Sequence, residues 1–229
     1  MEIKQNICVL DTETTPFNNK IEKVLATNML AYDIGYEIGK VNGETHICNS
    51  RIVKEIFYGE SERMKSAYYV NKVPQYEEQI ENGESIADTF FNIRKELIDL
   101  LDENEVKLIF CHNARFDVNA LNKTMSYLTN GKYKYFFPKR FTICDSLKMS
   151  RDVIAKMPTY RKFCEENGFM TKHKTPRPQL KAETIYRFLT KDIDFVEEHK
   201  GLDDVMIEKE IIKYCYRQHK PMRKALYEK

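Results

Sequence analysis

The chain has 229 residues, of which 42% are hydrophobic and 31% are charged, and its formal net charge is +2. This composition is that of a soluble globular protein with enough residues for one large domain or two small ones. The small net charge excludes a global basic field, so any nucleic-acid binding must depend on local clusters of basic residues. No apolar run approaches the roughly 20 residues that a membrane span needs, so we expect no membrane partner.

The first third of the chain predicts three strands. Residues 7–14 begin with four apolar residues and indicate a strand that is buried on both faces. Residues 31–38 alternate between tyrosine or isoleucine and other residues, which indicates a second strand. The Asn42-Gly43 pair is a strong hairpin signal, so residues 46–58 are predicted as a long third strand.

Helices and two further strands are predicted in the rest of the chain. The segment 61–80 is helical but contains Pro74, and Ser85 is placed to cap a helix that ends near Leu101. The later strands and helices are predicted at 106–111, 114–128, 140–144, 146–154, 159–167, 182–189 and 202–217. Residues 172–181 are basic and contain prolines, which predicts a loop that is either solvated or a contact for phosphate groups. This order predicts one α/β domain with a mixed sheet.

Two carboxylates stand at the end of the first predicted strand. Asp11 and Glu13 are two residues apart, so on an extended chain their side chains point to the same side. Burying like charges beside an apolar strand is unfavourable unless a cation neutralises them. Oxygen ligands favour Mg²⁺ or Mn²⁺ over zinc, so the pair is interpreted as half of a metal site.

Two later segments place acidic residues where the other half of the site is needed. Residues 112–117 (HNARFD) carry Asp117 in the first turn of a predicted helix, and residues 199–204 (HKGLDD) carry Asp204 at the start of the last long helix. The four carboxylates together predict a site for two divalent ions, as used in phosphate ester hydrolysis. His199 is placed to take a proton from a water molecule.

Each of these residues also has a structural interpretation. Asp117 is where a carboxylate interacts favourably with the helix dipole, and Asp203 competes with Asp204 for the metal role. Asn113 either orients the site or caps the following helix. His112 is interpreted as a hydrogen-bonding structural histidine. The family resemblance described next favours the metal role for the carboxylates.

The three segments resemble the motifs of the DEDDh branch of the DnaQ-like, ribonuclease H-like 3′→5′ exonucleases. Residues 11–13 match the D-x-E motif, residues 112–117 the H-N-x-x-F-D motif and residues 199–204 the H-x-x-x-x-D motif, in the order of the family. A sister branch carries tyrosine at the position of Lys200, whereas His199 occupies the histidine position, so the histidine branch is favoured.

The resemblance implies a ribonuclease H-like fold, with a five-stranded mixed sheet flanked by helices, and a two-metal-ion exonuclease that uses Mg²⁺ or Mn²⁺. The implied catalytic residues are Asp11, Glu13, Asp117, His199 and Asp204. Their four carboxylates are the implied metal ligands, and Asp11 would bridge both ions. The predicted substrate-binding residues are Thr12, Thr14 and Asn113.

The predicted function is hydrolysis of single-stranded nucleic acid from its 3′ end, with DNA favoured over RNA, to release nucleoside monophosphates. One alternative is an exoribonuclease that degrades RNA ends or short oligoribonucleotides. A second is a nucleic-acid-binding module without turnover, which is disfavoured because no motif residue is missing. A DNA polymerase or another replication protein is a further candidate partner.

A narrower resemblance is to exonuclease-like proteins of bacterial phages and prophages, at residues 64–69, 163–171 and 182–186. It implies a cytoplasmic protein in a bacterial or phage-infected cell, which the lack of an apolar signal-peptide core in the first residues also favours. We predict one exonuclease domain over residues 1–229, with a lineage-specific insertion around residues 59–83.

Overall fold

The computed structural model describes residues 5–15, 29–65, 70–197, 199–222 and 225–226. Six strands form one sheet: β1 (Asn6–Thr14), β2 (Ala31–Lys40), β3 (Thr45–Val53), β4 (Ile86–Asp88), β5 (Leu108–Cys111) and β6 (Thr142–Asp145). Their order across the sheet is β4-β3-β2-β1-β5-β6. The pairs β1–β2 and β2–β3 are antiparallel, and β3–β4, β1–β5 and β5–β6 are parallel. The predicted α/β class with a mixed sheet is therefore confirmed.

Helices flank this sheet. Nine α-helices lie in the described ranges: α1 (Lys54–Phe57), α2 (Ser61–Lys65), α3 (Val73–Glu81), α4 (Phe90–Glu103), α5 (Arg115–Leu128), α6 (Ser146–Asp152), α7 (Pro158–Glu166), α8 (Ala182–Thr190) and α9 (Gly201–Arg217). Two short 3-10 helices cover Val70–Lys72 and Ile154–Lys156. Among the described residues, no helix combines the length and the apolar character that crossing a membrane requires.

Strand β1 is buried on both faces, as predicted, because each face packs against a different group of helices. Cys8 and Leu10 belong to a core cluster that includes apolar residues of α4 and α5. Ile7 and Val9 belong to a second cluster, built mainly from residues of α6, α7, α8 and α9. Successive residues of a strand point to opposite faces, so odd-numbered residues of β1 face α9 and even-numbered residues face α5.

Helix α9 begins in direct contact with strand β2. A Cβ atom on Gly35 would lie 2.1 Å from the carbonyl carbon and oxygen of Gly201, so neither glycine has room for a side chain at this crossing. Gly35 is the ladder partner of Asp11. Asp33 strengthens the contact, because its Oδ2 accepts hydrogen bonds from Gly201 N at 3.2 Å and from Tyr76 Oη at 2.9 Å. The start of α9 is thereby held beside the acidic end of β1.

The sheet has six strands where five were predicted, and its third strand is shorter than predicted. Strand β3 ends at Val53 and does not continue to Tyr58, because the chain turns into α1. Strand β4 follows Ser85 directly and has three residues, which is too short to show alternation in the sequence. Ser85 is therefore not the helix cap. The hydroxyl of Thr89 caps α4 by accepting a hydrogen bond from Asn92 N at 3.3 Å.

Pro74 begins a helix, whereas the sequence suggested that it breaks one. It lies in the first turn of α3, where its missing N–H removes no helical hydrogen bond. The predicted insertion at 59–83 includes α2 and α3, and its residues 66–69 lie outside the described ranges. The single domain over 1–229 and the lineage-specific origin of this insertion stay predictions.

Candidate active site

A cavity of about 1310 Å³ opens beside the carboxyl end of β1. Its walls come from the end of β1, the start of α5, helices α6 and α7, the loop before α8 and the start of α9. Seven of the predicted site residues line it: Asp11, Thr12, Glu13, Thr14, Asn113, His199 and Asp204. Distant parts of the chain therefore meet here as the sequence predicts, and Asp117 is the one predicted residue that is not part of the lining.

The odd-numbered carboxylates of β1 meet α9 in this cavity. Glu13, His199 and Asp204 each offer a ligand atom, and these atoms all lie within 4.8 Å of one another. Glu13 and Asp204 are 7% and 6% exposed. Asp203 is exposed, which favours Asp204 in the choice that the sequence left open. The three grouped residues, with Asp11 two positions from Glu13 on the same face of β1, are placed to hold a cation.

Asp117 lies on the opposite side of β1, where α5 packs. Its Oδ1 accepts hydrogen bonds from the backbone N of Thr12 at 3.1 Å and from the hydroxyl of Thr12 at 2.9 Å. The residue is 1% exposed, and no described residue is hydrogen bonded to its Oδ2. The hydroxyl of Thr12 therefore donates a hydrogen bond to Asp117. Thr14, the last residue of β1, lines the cavity together with Thr12. Substrate binding by Thr12 and Thr14 stays a prediction.

The electrostatics of the acidic cluster fit a divalent cation. Burial raises the pKa of Asp11 well above its ordinary value, and the charges of Asp117 and Glu208 raise it further. Burial is also the main cause of the raised pKa of Glu13 and of Asp204. Asp204 Oδ1 is buried with no hydrogen-bond partner among the described residues. Buried carboxylates with unpartnered oxygens are the donor set that Mg²⁺ or Mn²⁺ neutralises.

His199 approaches this cluster from the residue before the N-cap of α9. Its backbone φ is +53°, in the left-handed region where few residues other than glycine are found. Its side chain is 39% exposed, with Nδ1 3.7 Å from Glu197 Oε2. Burial lowers the pKa of His199 below its ordinary value, and the charge of Lys72 lowers it further. The imidazole is therefore neutral at neutral pH and can accept a proton.

His112 and Asn113 shape the cavity wall between β5 and α5. His112 Nε2 donates to Leu180 O at 2.7 Å, because a carbonyl can only accept, and Nδ1 then accepts from Ser146 Oγ at 2.9 Å. Burial lowers the pKa of His112, which keeps this neutral form, so its structural interpretation is confirmed. Asn113 has a φ of +70° and donates its backbone N–H to Asp145 Oδ1 at 3.3 Å. Ala114 is the N-cap residue of α5, and no side-chain cap is found there among the described residues, so the capping interpretation of Asn113 is wrong.

Glu208 is a buried acid of the cavity that was not predicted. It lies one turn after Asp204 on α9, is 3% exposed and lines the cavity. Its Oε1 accepts a hydrogen bond from His112 N at 3.0 Å. The available signal was a glutamate one helical turn after Asp204, next to the apolar residues Ile207, Ile211 and Ile212 that α9 also buries. Asp11, Glu13, Asp204 and Glu208 are named the acidic floor below.

Four exposed basic side chains also line the cavity. Arg151 comes from α6, Arg161 from α7, and Arg177 and Lys181 from the basic segment 172–181, which contains no helix or strand. Within the described part of the chain, Arg161 alone of the four forms an ion pair, with Glu165 at 2.8 Å. These four residues are named the basic wall. The cavity therefore combines a largely buried acidic floor with an exposed basic wall.

Solved structures to which the chain is similar include proteins described as nucleases. The chain is similar to a full-length 3′-exonuclease, with a TM-score of 0.60 and 16% identity over 98% of this chain and 90% of that one. It is also similar to cell-death related nuclease 4 (CRN-4), with a TM-score of 0.53 and 13% identity, covering 94% of this chain and 65% of that one. Exonuclease X in complex with 5′ overhanging duplex DNA matches with a TM-score of 0.41 and 11% identity, covering 93% of this chain and 92% of that one.

The chain shares its fold with the first two of these structures, the full-length 3′-exonuclease and CRN-4. At such low identity the similarity establishes the fold, and with it the predicted ribonuclease H-like architecture. No family model matches the chain, and no curated protein matches it.

Proposed function

We propose that this chain is a metal-dependent 3′→5′ exonuclease of the DEDDh type that hydrolyses single-stranded nucleic acid, with DNA favoured. The observation that carries the proposal is the grouping of Glu13, Asp204 and His199 within 4.8 Å, beside Asp11, in a cavity that also has a basic wall. The fold shared with a protein described as a 3′-exonuclease supports the direction of hydrolysis.

The proposed cofactor is a pair of Mg²⁺ or Mn²⁺ ions. Asp11, Glu13 and Asp204 supply oxygen ligands from the cavity, and Asp117 supplies its unpartnered Oδ2 from the other side of β1. When bound, such ions neutralise the charge of the scissile phosphate and polarise the reacting oxygens.

The side chains of the cavity then perform separate tasks. Neutral His199 accepts the proton of the attacking water. The water oxygen adds to the phosphorus of the last phosphodiester, and the bond to the 3′-oxygen of the preceding nucleotide breaks, so a nucleoside 5′-monophosphate leaves. The 3′-oxygen takes a proton from solvent to become a 3′-hydroxyl, and His199 returns its proton to solvent. Thr14 and Asn113 contact the terminal nucleotide, and the basic wall binds the phosphates that precede it.

A labelled oligonucleotide assay tests this proposal. Single-stranded DNA with a 5′ label is incubated with the protein and Mg²⁺, and we expect a ladder that shortens by one nucleotide at a time. EDTA and the substitution Asp11→Asn should each abolish the ladder. A 3′ label should be released at once as a mononucleotide. A ladder that persists in the Asp11→Asn variant, or release of the 5′ label first, would contradict the proposal.

An exoribonuclease is the second candidate function. Thr14 lines the cavity at the end of β1, where a hydroxyl side chain would be able to recognise the 2′-hydroxyl of RNA. Parallel DNA and RNA ladders of the same sequence distinguish the two substrates. A faster RNA ladder, slowed by Thr14→Val and unchanged for DNA, would assign the protein to RNA.

The cellular setting is a further part of the proposal. The similarity of residues 64–69, 163–171 and 182–186 to phage and prophage exonucleases supports a cytoplasmic role in bacterial or phage-infected cells. A DNA polymerase is the proposed macromolecular partner. Co-purification of the tagged chain with a polymerase from such cells tests that association, and recovery of the chain alone under the same conditions would contradict it.

A further inference from the structure

Glu208 occupies the acidic floor although none of the three sequence motifs includes it. It follows Asp204 by four residues on α9, so the two carboxylates lie on the same face of that helix, one turn apart. Both side chains line the cavity, and Glu208 is the more buried, at 3% exposure against 6%. Asp117, in contrast, is excluded from the lining.

The hydrogen bonding of Glu208 leaves one oxygen without a protein partner. Oε1 accepts the backbone N–H of His112 at 3.0 Å, which anchors the carboxylate to the end of β5. Oε2 is buried and has no hydrogen-bond partner in the part of the chain that the structure describes. A buried carboxylate oxygen in this state is strongly unfavourable unless a ligand satisfies it.

The surroundings of Glu208 are anionic. Asp117 Oδ2 and Asp204 Oδ1 are likewise buried and unpartnered, and the charges of Asp117 and Asp204 both act on Glu208. Lys209, the next residue, binds Glu37 at 2.5 Å and lies away from the floor. Within the described residues Glu208 forms no ion pair. A divalent cation bound at the floor would give the unpartnered Oε2 of Glu208 a partner of opposite charge.

We propose that Glu208 is a fifth carboxylate of the metal centre and supplies Oε2 as a direct ligand to a divalent cation beside Asp11. This inference rests on the proposed function for the presence of the metal centre, and it extends the predicted set of four carboxylates. Carboxylate oxygen is the ligand that Mg²⁺ and Mn²⁺ prefer. The hydrogen bond from His112 orients the carboxylate, as supporting contacts commonly do for metal ligands.

Mn²⁺ binding to the full chain, measured by titration calorimetry, tests the proposal without reference to activity. Glu208→Gln keeps an oxygen that accepts from His112 N but removes the charge. We expect it to weaken binding of one Mn²⁺ by at least about 10-fold, the lower limit seen when residues that merely support a ligand are removed. The matched control is Glu210→Gln on the same helix, because Glu210 is 47% exposed and pairs with Lys213. It should bind Mn²⁺ as the wild type does.

A purely structural role makes a different prediction. If Glu208 serves only as the acceptor for His112 N, Glu208→Gln keeps that bond and binds Mn²⁺ with wild-type affinity, which would overturn the proposal. Circular dichroism and melting in EDTA check the fold of each variant. Glu208→Asp is the second variant, since it keeps the charge but shortens the side chain. Weakened Mn²⁺ binding in it supports the proposal, and wild-type affinity in either folded variant overturns it.

The two proposals fail separately. If the wild type degrades neither DNA nor RNA while Glu208→Gln still weakens Mn²⁺ binding, the exonuclease assignment fails and the role of Glu208 as a ligand stands. If the wild type is active and both Glu208 variants bind Mn²⁺ normally, the exonuclease assignment stands and the role of Glu208 is excluded.

Discussion

The acidic floor and the basic wall of the cavity differ in how the fold holds them. The floor is largely buried and lies on the end of β1 and the first turns of α9, and the Gly35–Gly201 contact holds the start of α9 against β2, the neighbour of β1. The wall is exposed and lies on α6, α7 and an irregular segment. Buried charges with fixed positions suit a cation and chemistry, whereas exposed, flexible cations suit a polyanion that slides past them. Substitutions in the two regions should therefore have different effects.

Asp11→Asn should have the largest effect, because it removes the charge at the centre of the floor without changing the size of the side chain. We expect the rate of the cleavage step to fall about 10³-fold, equivalent to about 4 kcal/mol of lost transition-state stabilisation. Single-turnover cleavage of a labelled oligonucleotide measures this rate. Asp203→Asn is the control, since Asp203 is exposed, and should leave the rate unchanged. If both variants lost the same fraction of the cleavage rate, the rate would depend on the total negative charge of this region and not on the position of Asp11 in the floor.

His199→Ala should have the second-largest effect. We expect the rate of the cleavage step to fall by about 10²-fold or more, because the substitution removes the group that accepts the proton. Mn²⁺ binding should persist through the carboxylates. In the wild type, the rate should rise as His199 loses its proton. Because burial and Lys72 lower the pKa of His199, this rise should lie below the ordinary value of about 6.5. A pH–rate profile of the variant that keeps the same rise would contradict this role.

Removal of the cation should make the stability of the protein depend on pH, because the buried carboxylates of the floor are then not neutralised. The pKa values of Glu13 and Asp204 are raised in the folded protein, mainly by burial, so the metal-free folded protein holds protons that the unfolded chain has released. Its free energy of unfolding therefore decreases as pH rises. The lowered pKa values of His112 and His199 act in the opposite direction only near and below about pH 6.5, so we compare melting in EDTA between about pH 7 and about pH 8.5.

Added Mn²⁺ should reverse this loss, stabilising the protein by about 2.7 kcal/mol when its concentration is 100 times the Kd. The gain in melting temperature should be larger at the higher pH. Asp11→Asn should show a smaller gain, since one buried charge is gone. A melting temperature in EDTA that stays constant or rises over this pH range would show that the floor carries no net charge in need of a cation.

The floor was largely predictable from the sequence, and the wall only in part, because the basic segment 172–181 was a candidate phosphate contact but the arginines of α6 and α7 were not predicted. Asp11 and Glu13 stand out because an apolar strand ends in two charges, which local sequence shows. Glu208 has the helical spacing from Asp204, but this spacing does not reveal that the end of β5 lies against the glutamate. Arg161 lies on an exposed helix face that resembles any solvated face. Its place at the cavity depends on tertiary packing of α7, which no local pattern encodes.

Arg177→Ala tests the wall and should have a modest effect on binding. We expect KM for single-stranded DNA to increase with kcat unchanged. In a plot of the logarithm of the binding constant against the logarithm of salt concentration, the slope should become shallower by about one unit, as for one lost phosphate contact. Lys174→Ala is the matched control, because Lys174 is exposed in the same segment and does not line the cavity. If the two substitutions have equal effects, the segment contributes only general charge, and the distinction between floor and wall is weakened.

Tyr76→Phe should have the smallest effect, and it tests how the floor is supported. The tyrosine hydroxyl donates to Asp33 Oδ2 at 2.9 Å, the same oxygen that accepts from Gly201 N at the start of α9. Losing one such hydrogen bond costs about 1 kcal/mol, measured as a lower free energy of unfolding in urea. Tyr58→Phe, at a position that is 51% exposed, is the control and should change nothing. Because Asp33 keeps its bonds to Ser50 and Gly201, we expect cleavage to be nearly normal and its salt dependence unchanged. A loss of activity as large as that of Asp11→Asn would mean that Tyr76 contributes to the chemistry and not only to the position of α9.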